Sequence, residues 1–274
     1  MGSEQIIAIL IASGVVAALG VVVGLFLGLS GKALAVPVDE KIEAVRECLP
    51  GNNCGGCGYS GCDGLAEAMA RGDAPPNACP VGGADVAEKI AEVLGVDASA
   101  TRRMVAFVKC SGSCDRIQFK YQYYGDGDCR RAAIAPGHGN KACRYACTGL
   151  GSCASVCPFD AITLVGGRAV VDPDECRACG KCIATCPHGL IEMIPADAAY
   201  AVRCHSQDKG KEVRAVCSAG CIGCGICAKV CPEGAITVSA NVAHIDQSLC
   251  TGCGKCAAKC PAKVIVCPTA CKTV

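Results

Sequence analysis

The chain has 274 residues, of which 28 are cysteine and 34 are glycine, and it contains no tryptophan. A cysteine content of about one tenth indicates a framework of cysteine-bound groups, because large apolar and aromatic side chains are too scarce to organise an ordinary core. The formal net charge of +1 excludes a strongly basic nucleic-acid-binding protein. Residues 41–100 carry 4 basic and 9 acidic side chains (net −5), and residues 101–274 carry 21 basic and 13 acidic ones (net +8). This asymmetry is typical of two regions with different neighbours, although two merely solvated surfaces would give the same pattern.

The first element is an apolar segment from Ile6 to Leu29 that contains no charged residue. As a helix it is roughly 36 Å long, which is enough to span a bilayer. We therefore expect a transmembrane helix over 1–30 and a linker over 31–50. A cleaved signal peptide is the alternative, but the segment is longer than an h-region and no basic residue precedes it. Because Lys32, Lys41 and Arg46 follow the helix, the positive-inside rule predicts a single-pass protein of the cell membrane with its cysteine-rich part on the cytoplasmic side.

The second element is a one-cluster domain, which we predict over 51–100. Its cysteines have the spacing C-x2-C-x4-C-x16-C-P, and glycines fill the turns where close backbone approach leaves no room for side chains. The pattern predicts short helices over 65–69 and 86–94, the second ended by Gly95. In a reducing compartment such cysteines favour a metal or redox site over disulfides, with zinc as the alternative to a [4Fe–4S] cluster. The predicted ligands are Cys54, Cys57, Cys62 and Cys79.

The clearest motif lies near the C-terminus, where the run C-x2-C-x2-C-x3-C-P occurs twice. This is the run of bacterial ferredoxins, in which the fourth cysteine of each run binds the other [4Fe–4S] cluster of the pair. Zinc sites prefer separated pairs or mixed ligands. We therefore predict a ferredoxin-like module 2 over 201–274, with a short hairpin over 235–238 and 242–245. One cluster is assigned to Cys221, Cys224, Cys227 and Cys260, and the other to Cys231, Cys250, Cys253 and Cys256.

The same pattern recurs 74 residues upstream without a gap, which marks an internal duplication and predicts a ferredoxin-like module 1 over 143–200. Cys224 corresponds to Leu150, so this copy lacks one ligand. We expect Cys143 to replace it, with a three-ligand or lost cluster as the alternative. The predicted sets are Cys143, Cys147, Cys153 and Cys186 for one cluster, and Cys157, Cys176, Cys179 and Cys182 for the other.

An insertion over 101–142 carries Cys110, Cys114 and Cys129, which are candidate ligands of an extra cluster with a fourth cysteine from elsewhere. Cys217 matches Cys143 in the duplication, and Val108-Lys109-Cys110 resembles Val202-Arg203-Cys204. The pattern does not decide whether Cys204 and Cys217 bind a cluster. Cys48, Cys267 and Cys271 fit no motif. The chain is thus predicted to hold at least five [4Fe–4S] clusters, or six if the insertion binds one.

These elements predict an α+β protein of small iron–sulfur domains: a single N-terminal transmembrane helix, a one-cluster [4Fe–4S] domain and two tandem bacterial 2[4Fe–4S] ferredoxin-like modules. G-x-x-x-x-G-K-[ST] does not occur in the sequence, and the one G-x-G-x-x-G run, from Gly56 to Gly61, lies among the predicted cluster ligands and not in a strand–helix pattern. The four histidines form no cluster in the sequence. We therefore predict an electron-transfer chain with no catalytic site for bond chemistry, no direct NAD or flavin binding and no nucleic-acid partner.

The order of these elements resembles the RnfB family, the ferredoxin-type iron–sulfur subunits of the Rnf complexes. A membrane helix comes first, and ferredoxin modules come last. Between them stand Cys54-Gly-Gly-Cys57-Gly-Tyr-Ser-Gly-Cys62 and Cys79-Pro-Val-Gly-Gly. The resemblance covers nearly the whole chain, and the two modules and the insertion resemble the extended form of the family. It implies a subunit of a membrane oxidoreductase, a translocase that couples electron flow from ferredoxin to NAD⁺ with Na⁺ or H⁺ transport. Within such a complex, RnfB would be the entry point for electrons from soluble reduced ferredoxin, and other Rnf membrane subunits would be its partners.

The positive region 101–274 adds a physical reason for this role, because it would attract an acidic electron carrier by long-range steering. Two alternatives remain at this point. One is a membrane-tethered polyferredoxin that feeds another redox partner, such as a hydrogenase, a reductive activator or a system that reduces a redox sensor. The other is a structural zinc protein. The sequence does not show which ion is coupled, or the cluster potentials and the order of electron flow.

Overall fold

The structure is a computed structural model that describes residues 3–33, 39–97 and 102–268. The chain forms two compact units, Met1–Glu43 and Ala44–Val274. The first unit contains helix α1 (Ser3–Ala33), whose Ser13–Ser30 segment has a mean hydropathy of 2.2 and is exposed in the isolated chain. By length and composition this helix could cross a membrane. Helix α2 (Glu40–Cys48) occupies much of the predicted linker, with acidic residues in its first turn and Arg46 in its last turn.

The one-cluster region contains two amphipathic helices, α3 (Cys62–Arg71) and α4 (Gly83–Leu94). Both predicted helices are confirmed, and each begins three residues before its predicted start. They form because apolar residues recur at helical spacing, so that Leu65, Met69 and Ile90 lie on buried faces. Gly95 ends α4 in the left-handed conformation, as the sequence predicted.

Module 1 is a set of short elements held together across long sequence distances. In chain order they are β1 (Met104–Val108), α5 (Cys129–Ile134), α6 (Ser152–Ser155), β2 (Ile162–Val165), β3 (Arg168–Val171), α7 (Lys181–Thr185) and β4 (Ile191–Pro195). Strands β2 and β3 form an antiparallel hairpin, and β1 pairs antiparallel with β4 in the register Val108↔Ile191. Strand β1 comes from the predicted insertion, so the start of that segment forms a two-stranded sheet with the last strand of module 1.

Module 2 repeats this plan. Its elements are β5 (Ala201–Val202), α8 (Gly210–Val216), α9 (Ile226–Val230), β6 (Ile236–Ser239), β7 (Val242–Ile245), α10 (Lys255–Lys259) and β8 (Ile265–Val266). The predicted hairpin is confirmed as β6 paired with β7 in the register Ile236↔Ile245, and β5 pairs with β8. A shift of 74 residues places β2, β3 and α7 on β6, β7 and α10 residue for residue. The duplication is therefore structural as well as sequential.

The cores of the two modules consist mainly of aliphatic side chains and cysteines, and among these buried core residues only Phe107 is aromatic. Helices of four to seven residues are too short to be stable alone, so they depend on packing around the cysteines. The rest of the insertion connects the two modules. Ile117 forms a bridge with Cys217, and the Gln118 N–H donates to the Val216 carbonyl at 2.9 Å. These contacts place the insertion beside α8, next to the cysteines of both modules.

Candidate metal centres

The cysteines of module 2 cross between the two ferredoxin runs as the spacing predicts. Cys221, Cys224 and Cys227 border an open cavity of about 370 Å³ together with Cys260, which belongs to the second run. The remaining walls are apolar and include Ile222 and Val238. For the other set, Cys250 and Cys253 lie close enough to Cys256 to raise the pKa of its thiol, after the larger effect of burial. Cys231 is half-buried and matches Cys157 of module 1 in the duplication.

Module 1 contains the matching set. Cys157, Cys176, Cys179 and Cys182 border an open cavity of about 320 Å³. Strand β1 contributes to it, because the Ala106 N–H donates to the Cys176 sulfur at 3.4 Å. Burial, followed by the charges of Cys176 and Cys179, raises the pKa of the Cys182 thiol to about 11. An N–H donor to a ligand sulfur is one of the interactions that tune an iron–sulfur site.

The second set of module 1 differs from the sequence prediction. The fourth cysteine beside Cys147, Cys153 and Cys186 is Cys129 of the insertion and not Cys143, and these four border an open cavity of about 350 Å³. Helix α5 begins at Cys129, whose N–H donates to the Ser152 hydroxyl at 2.8 Å. Cys129 thus lies at the position that the duplication leaves without a ligand.

Hydrogen bonds explain how Cys129 is held there. Burial raises the pKa of its thiol, but the side chains of Thr148 and Ser152 and the backbone N–H groups of Ser152 and Leu150 outweigh that effect, and the pKa is lowered. Leu150 stands where the duplicated pattern has a cysteine. The Cys129 sulfur therefore accepts a hydrogen bond from the backbone of the residue whose side chain cannot be a ligand. In the same set, burial and then the charge of Cys147 raise the pKa of the Cys153 thiol to about 12.

Cys143 belongs instead to a set that the sequence analysis did not assemble. Cys110, Cys143, Cys204 and Cys217 border an open cavity of about 320 Å³ between the two modules. Burial is the first cause that raises the pKa of the Cys143, Cys204 and Cys217 thiols, and that of Cys204 reaches about 12. The Cys221 N–H donates to the Cys204 sulfur at 3.2 Å, and the Cys147 N–H donates to the Cys110 sulfur at 3.5 Å.

This set follows the internal duplication. Cys143 and Cys217 are 74 residues apart, and Cys110 and Cys204 each follow the first strand of a module, β1 or β5. Each module therefore contributes one cysteine of each kind. Both correspondences are visible in the sequence and together predict this set. The assignment of Cys143 to the set of Cys147, Cys153 and Cys186 was wrong, because it removed Cys143 from this set.

The one-cluster region brings Cys57, Cys62 and Cys79 together. Burial raises the pKa of the Cys79 thiol, and the charges of Cys62 and Cys57 add to the effect. The Cys62 N–H donates to the Asn53 side-chain oxygen at 2.8 Å, which fixes the start of α3. Cys54 lies close enough to Cys179 of module 1 to raise the pKa of that thiol, after burial as the larger cause.

A tight junction joins this region to module 1. A Cβ atom on Gly56 would lie 2.6 Å from the Cys179 carbonyl oxygen and 2.9 Å from its Cα atom. Only glycine allows this approach, because real Cβ atoms essentially never come within 3.0 Å of a backbone atom. The loop between Cys54 and Cys57 therefore packs directly on a ligand loop of module 1.

Four cysteines remain outside these sets. Cys114 was a candidate ligand, but it is exposed and borders none of the four cavities described above. Its N–H donates to the Gly166 carbonyl at 2.8 Å, which holds it against the turn between β2 and β3. Cys48 and Cys267 are half-buried, and Cys271 lies outside the described residues.

The number of thiols at each cavity bears on the kind of metal group. Each of the four cavities is bordered by four thiols, the number of ligands that a [4Fe–4S] cluster takes. Structural zinc sites also take four cysteines, so the comparison with known families decides between the two groups.

Comparison with known proteins agrees with this chemistry. Residues 49–81 match a family described as "Putative Fe-S cluster", and residues 135–199 and 220–264 each match a "4Fe-4S dicluster domain". The chain is 44% identical over 240 residues to the subunit designated B in the Na⁺-translocating ferredoxin:NAD⁺ oxidoreductase complex of Acetobacterium woodii, covering 87% of this chain and 72% of that protein. The chain belongs to the RnfB family.

Two further relatives extend the similarity. The subunit designated B in the ion-translocating oxidoreductase complex of Methanosarcina acetivorans is 42% identical, over 85% of this chain and 88% of that protein. Its counterpart in the proton-translocating ferredoxin:NAD⁺ oxidoreductase complex of Clostridium ljungdahlii is 41% identical, over 84% and 82%. The Rnf resemblance and the fold class predicted from the sequence are thus confirmed. Members of this family are subunits of a membrane-associated redox translocase.

Proposed function

We propose that this member of the RnfB family holds six [4Fe–4S] clusters and carries electrons from reduced ferredoxin to membrane partner subunits of its complex. The observation that carries the proposal is that 16 cysteines border four open cavities in sets of four, and the motif spacing assigns eight more cysteines to two further sets. When bound, such clusters accept and release single electrons. The six sets are Cys54, Cys57, Cys62 and Cys79; Cys110, Cys143, Cys204 and Cys217; Cys129, Cys147, Cys153 and Cys186; Cys157, Cys176, Cys179 and Cys182; Cys221, Cys224, Cys227 and Cys260; and Cys231, Cys250, Cys253 and Cys256.

The exposure of the ligands suggests where the donor docks. Cys224 and Cys253 of module 2 are exposed, whereas the Gly56 loop covers the backbone of Cys179 in module 1. An incoming redox protein would therefore reach the sets of module 2 at the surface. Residues 219–268 carry four basic side chains, all exposed, and two acidic ones. This basic excess adds to that of residues 101–218 in attracting an acidic ferredoxin, and the exposed ligands favour docking at module 2.

Electrons would leave through the N-terminal set. The set at Cys54, Cys57, Cys62 and Cys79 follows the apolar helix α1 in sequence, and its loop packs on Cys179. We place the cysteine-rich unit on the cytoplasmic side, because basic residues follow α1. Other subunits would bind NAD⁺ and flavin and move the ion, since the one glycine run of dinucleotide-binding type here, Gly56 to Gly61, follows no strand among the described residues and lies between cysteines of the N-terminal set.

The test is the rate at which reduced ferredoxin reduces the anaerobically purified chain, measured by stopped-flow absorbance. Lys229→Glu combined with Lys259→Glu reverses two exposed charges of module 2. We expect this variant to react at least about tenfold more slowly at low salt and to approach the wild type at high salt, because steering between exposed charges is screened. Lys89→Glu combined with Lys120→Glu is the matched control, with the same change of charge at two exposed sites outside module 2. Equal rates for the module 2 variant and the control would contradict docking at module 2.

A further inference from the structure

Lys141 is a buried cation. Its side chain belongs to a residue that is only 4% exposed, and it is one of three buried polar or charged residues in the described parts of the chain. Its ammonium group donates to the Gly112 carbonyl at 3.0 Å and to the Gly167 carbonyl at 2.6 Å. Among the described residues, no carboxylate lies within salt-bridge distance of it. The bridge between Phe119 and Lys141 fixes its backbone.

The ammonium group lies between two thiol sets. Gly112, which accepts one of its hydrogen bonds, borders the cavity of Cys110, Cys143, Cys204 and Cys217. Burial raises the pKa of the Cys217 thiol of that set, and the charge of Lys141 acts in the opposite direction. The same holds for Cys147 of the neighbouring set, where burial again is the larger cause and Lys141 lowers the pKa. One charge thus acts on ligands of two sets.

A buried ammonium group is unfavourable unless negative charge compensates it. The two carbonyl groups satisfy hydrogen bonds, but they carry no net charge. The negative groups that the structure places within electrostatic reach are the thiolates of these two sets, once they bind metal. Thiolate-bound clusters are anionic, so the pairing would be mutual. Since a reduced cluster is one charge more negative than an oxidised one, a fixed buried cation favours the reduced form.

We propose that Lys141 raises the reduction potentials of the two sites formed by Cys110, Cys143, Cys204 and Cys217 and by Cys129, Cys147, Cys153 and Cys186. This role rests on the six-cluster assignment proposed above. Lys141 would thus act on the two clusters through its charge, without binding the metal. The contact with the Gly167 carbonyl also tethers the insertion to the turn between β2 and β3, and the contact with Gly112 joins two parts of the insertion, so a purely structural role is the competing explanation.

The experiment is an anaerobic redox titration of the full chain followed by electron paramagnetic resonance, with iron and sulfide measured on the same samples. Lys141→Gln removes the charge but keeps an N–H donor, and Lys141→Arg keeps the charge. We expect Lys141→Gln to lower two of the one-electron couples by about tenfold in equilibrium constant, which is about 59 mV each, and to leave the others unchanged. Lys141→Arg should keep the wild-type potentials. Lys120→Gln removes an exposed charge of the same insertion and should change none of them.

The outcomes separate the two proposals. Unchanged potentials in Lys141→Gln at full iron content would overturn the role of Lys141 and leave the cluster assignment intact. Iron for five clusters or fewer in the wild type would instead contradict the assignment. If Lys141→Gln loses iron, the arginine variant still tests the role of the charge. Lower reduction potentials of the two sites in Lys141→Arg at full iron content would show that the charge of Lys141 does not set them.

Discussion

Replacing Gly56 with alanine tests whether the one-cluster region and module 1 communicate directly. The new Cβ atom would lie 2.6 Å from the Cys179 carbonyl oxygen, whereas ordinary contact begins at 3.4 Å, so one of the two loops must move by about 0.8 Å. Overpacking of this kind costs about 1–3 kcal/mol when the structure cannot yield. The junction consists of two loops, and we therefore expect it to open and to separate Cys54 from Cys179.

The assay is the spectral reduction of the N-terminal site after rapid mixing with reduced ferredoxin. Gly56→Ala should slow this phase and leave the reduction of module 2 unchanged, because the contact that aligns the two regions is lost. The iron content should stay at the wild-type level, since Gly56 is not a ligand.

Gly58→Ala is the matched control in the same loop. Gly58 has a φ of +86° with open space around its Cβ position, so alanine there costs about 1–2 kcal/mol of backbone strain without touching module 1. The two variants thus carry comparable destabilisation and differ at the junction. An unchanged rate in Gly56→Ala, or an equal slowing in Gly58→Ala, would refute the reasoning.

Three further predictions concern the ligands and the core. Cys129→Ser should remove about four irons per chain and Cys114→Ser none, as measured by iron analysis; equal losses would contradict the grouping. Leu65→Ala, at a residue 1% exposed, should cost about 2–5 kcal/mol in denaturant unfolding, and Leu249→Ala, at a residue 52% exposed, almost nothing; equal costs would contradict the packing of α3. The folded-state pKa of the Cys204 thiol is raised from 9.0 to about 12, so ligation must release its proton, and reconstitution with iron and sulfide should be more complete near pH 9 than near pH 7. Because the folded-state pKa is raised, the neutral thiol stabilises the iron-free fold below about pH 9, and this stabilisation is lost as the pH rises towards 12. An unfolding free energy of the iron-free protein that stays constant over that range would contradict the burial of Cys204.

The sequence predicted the local features of this molecule well. The hairpin of module 2 and the helices after Cys62 follow from short apolar periodicities, because in these cases neighbours in the chain are neighbours in space. The crossing of Cys260 into the first set of module 2 joins residues more than 30 positions apart, and it was predicted because the ferredoxin run specifies which cluster its fourth cysteine binds. The 74-residue repeat then carried the same geometry to module 1.

The features that the sequence did not predict are long-range. Cys129 reaches the gap at Leu150 because α5 packs on Ser152, and nothing in the spacing of 101–142 specifies that contact. Cys110 and Cys204 approach each other because each follows a strand that closes its module by pairing with β4 or β8. Such pairings join residues about 60 to 90 positions apart, beyond the reach of motif spacing.

The most direct test of the central claim is the amount of iron and acid-labile sulfide per chain in anaerobically purified full-length protein. Six sets of four thiols predict about 24 iron and about 24 sulfide per chain, with no stoichiometric zinc. A value of about 20 would contradict the set of Cys110, Cys143, Cys204 and Cys217 or the use of Cys129 as a ligand. Several zinc ions with little iron would contradict the electron-transfer account as a whole.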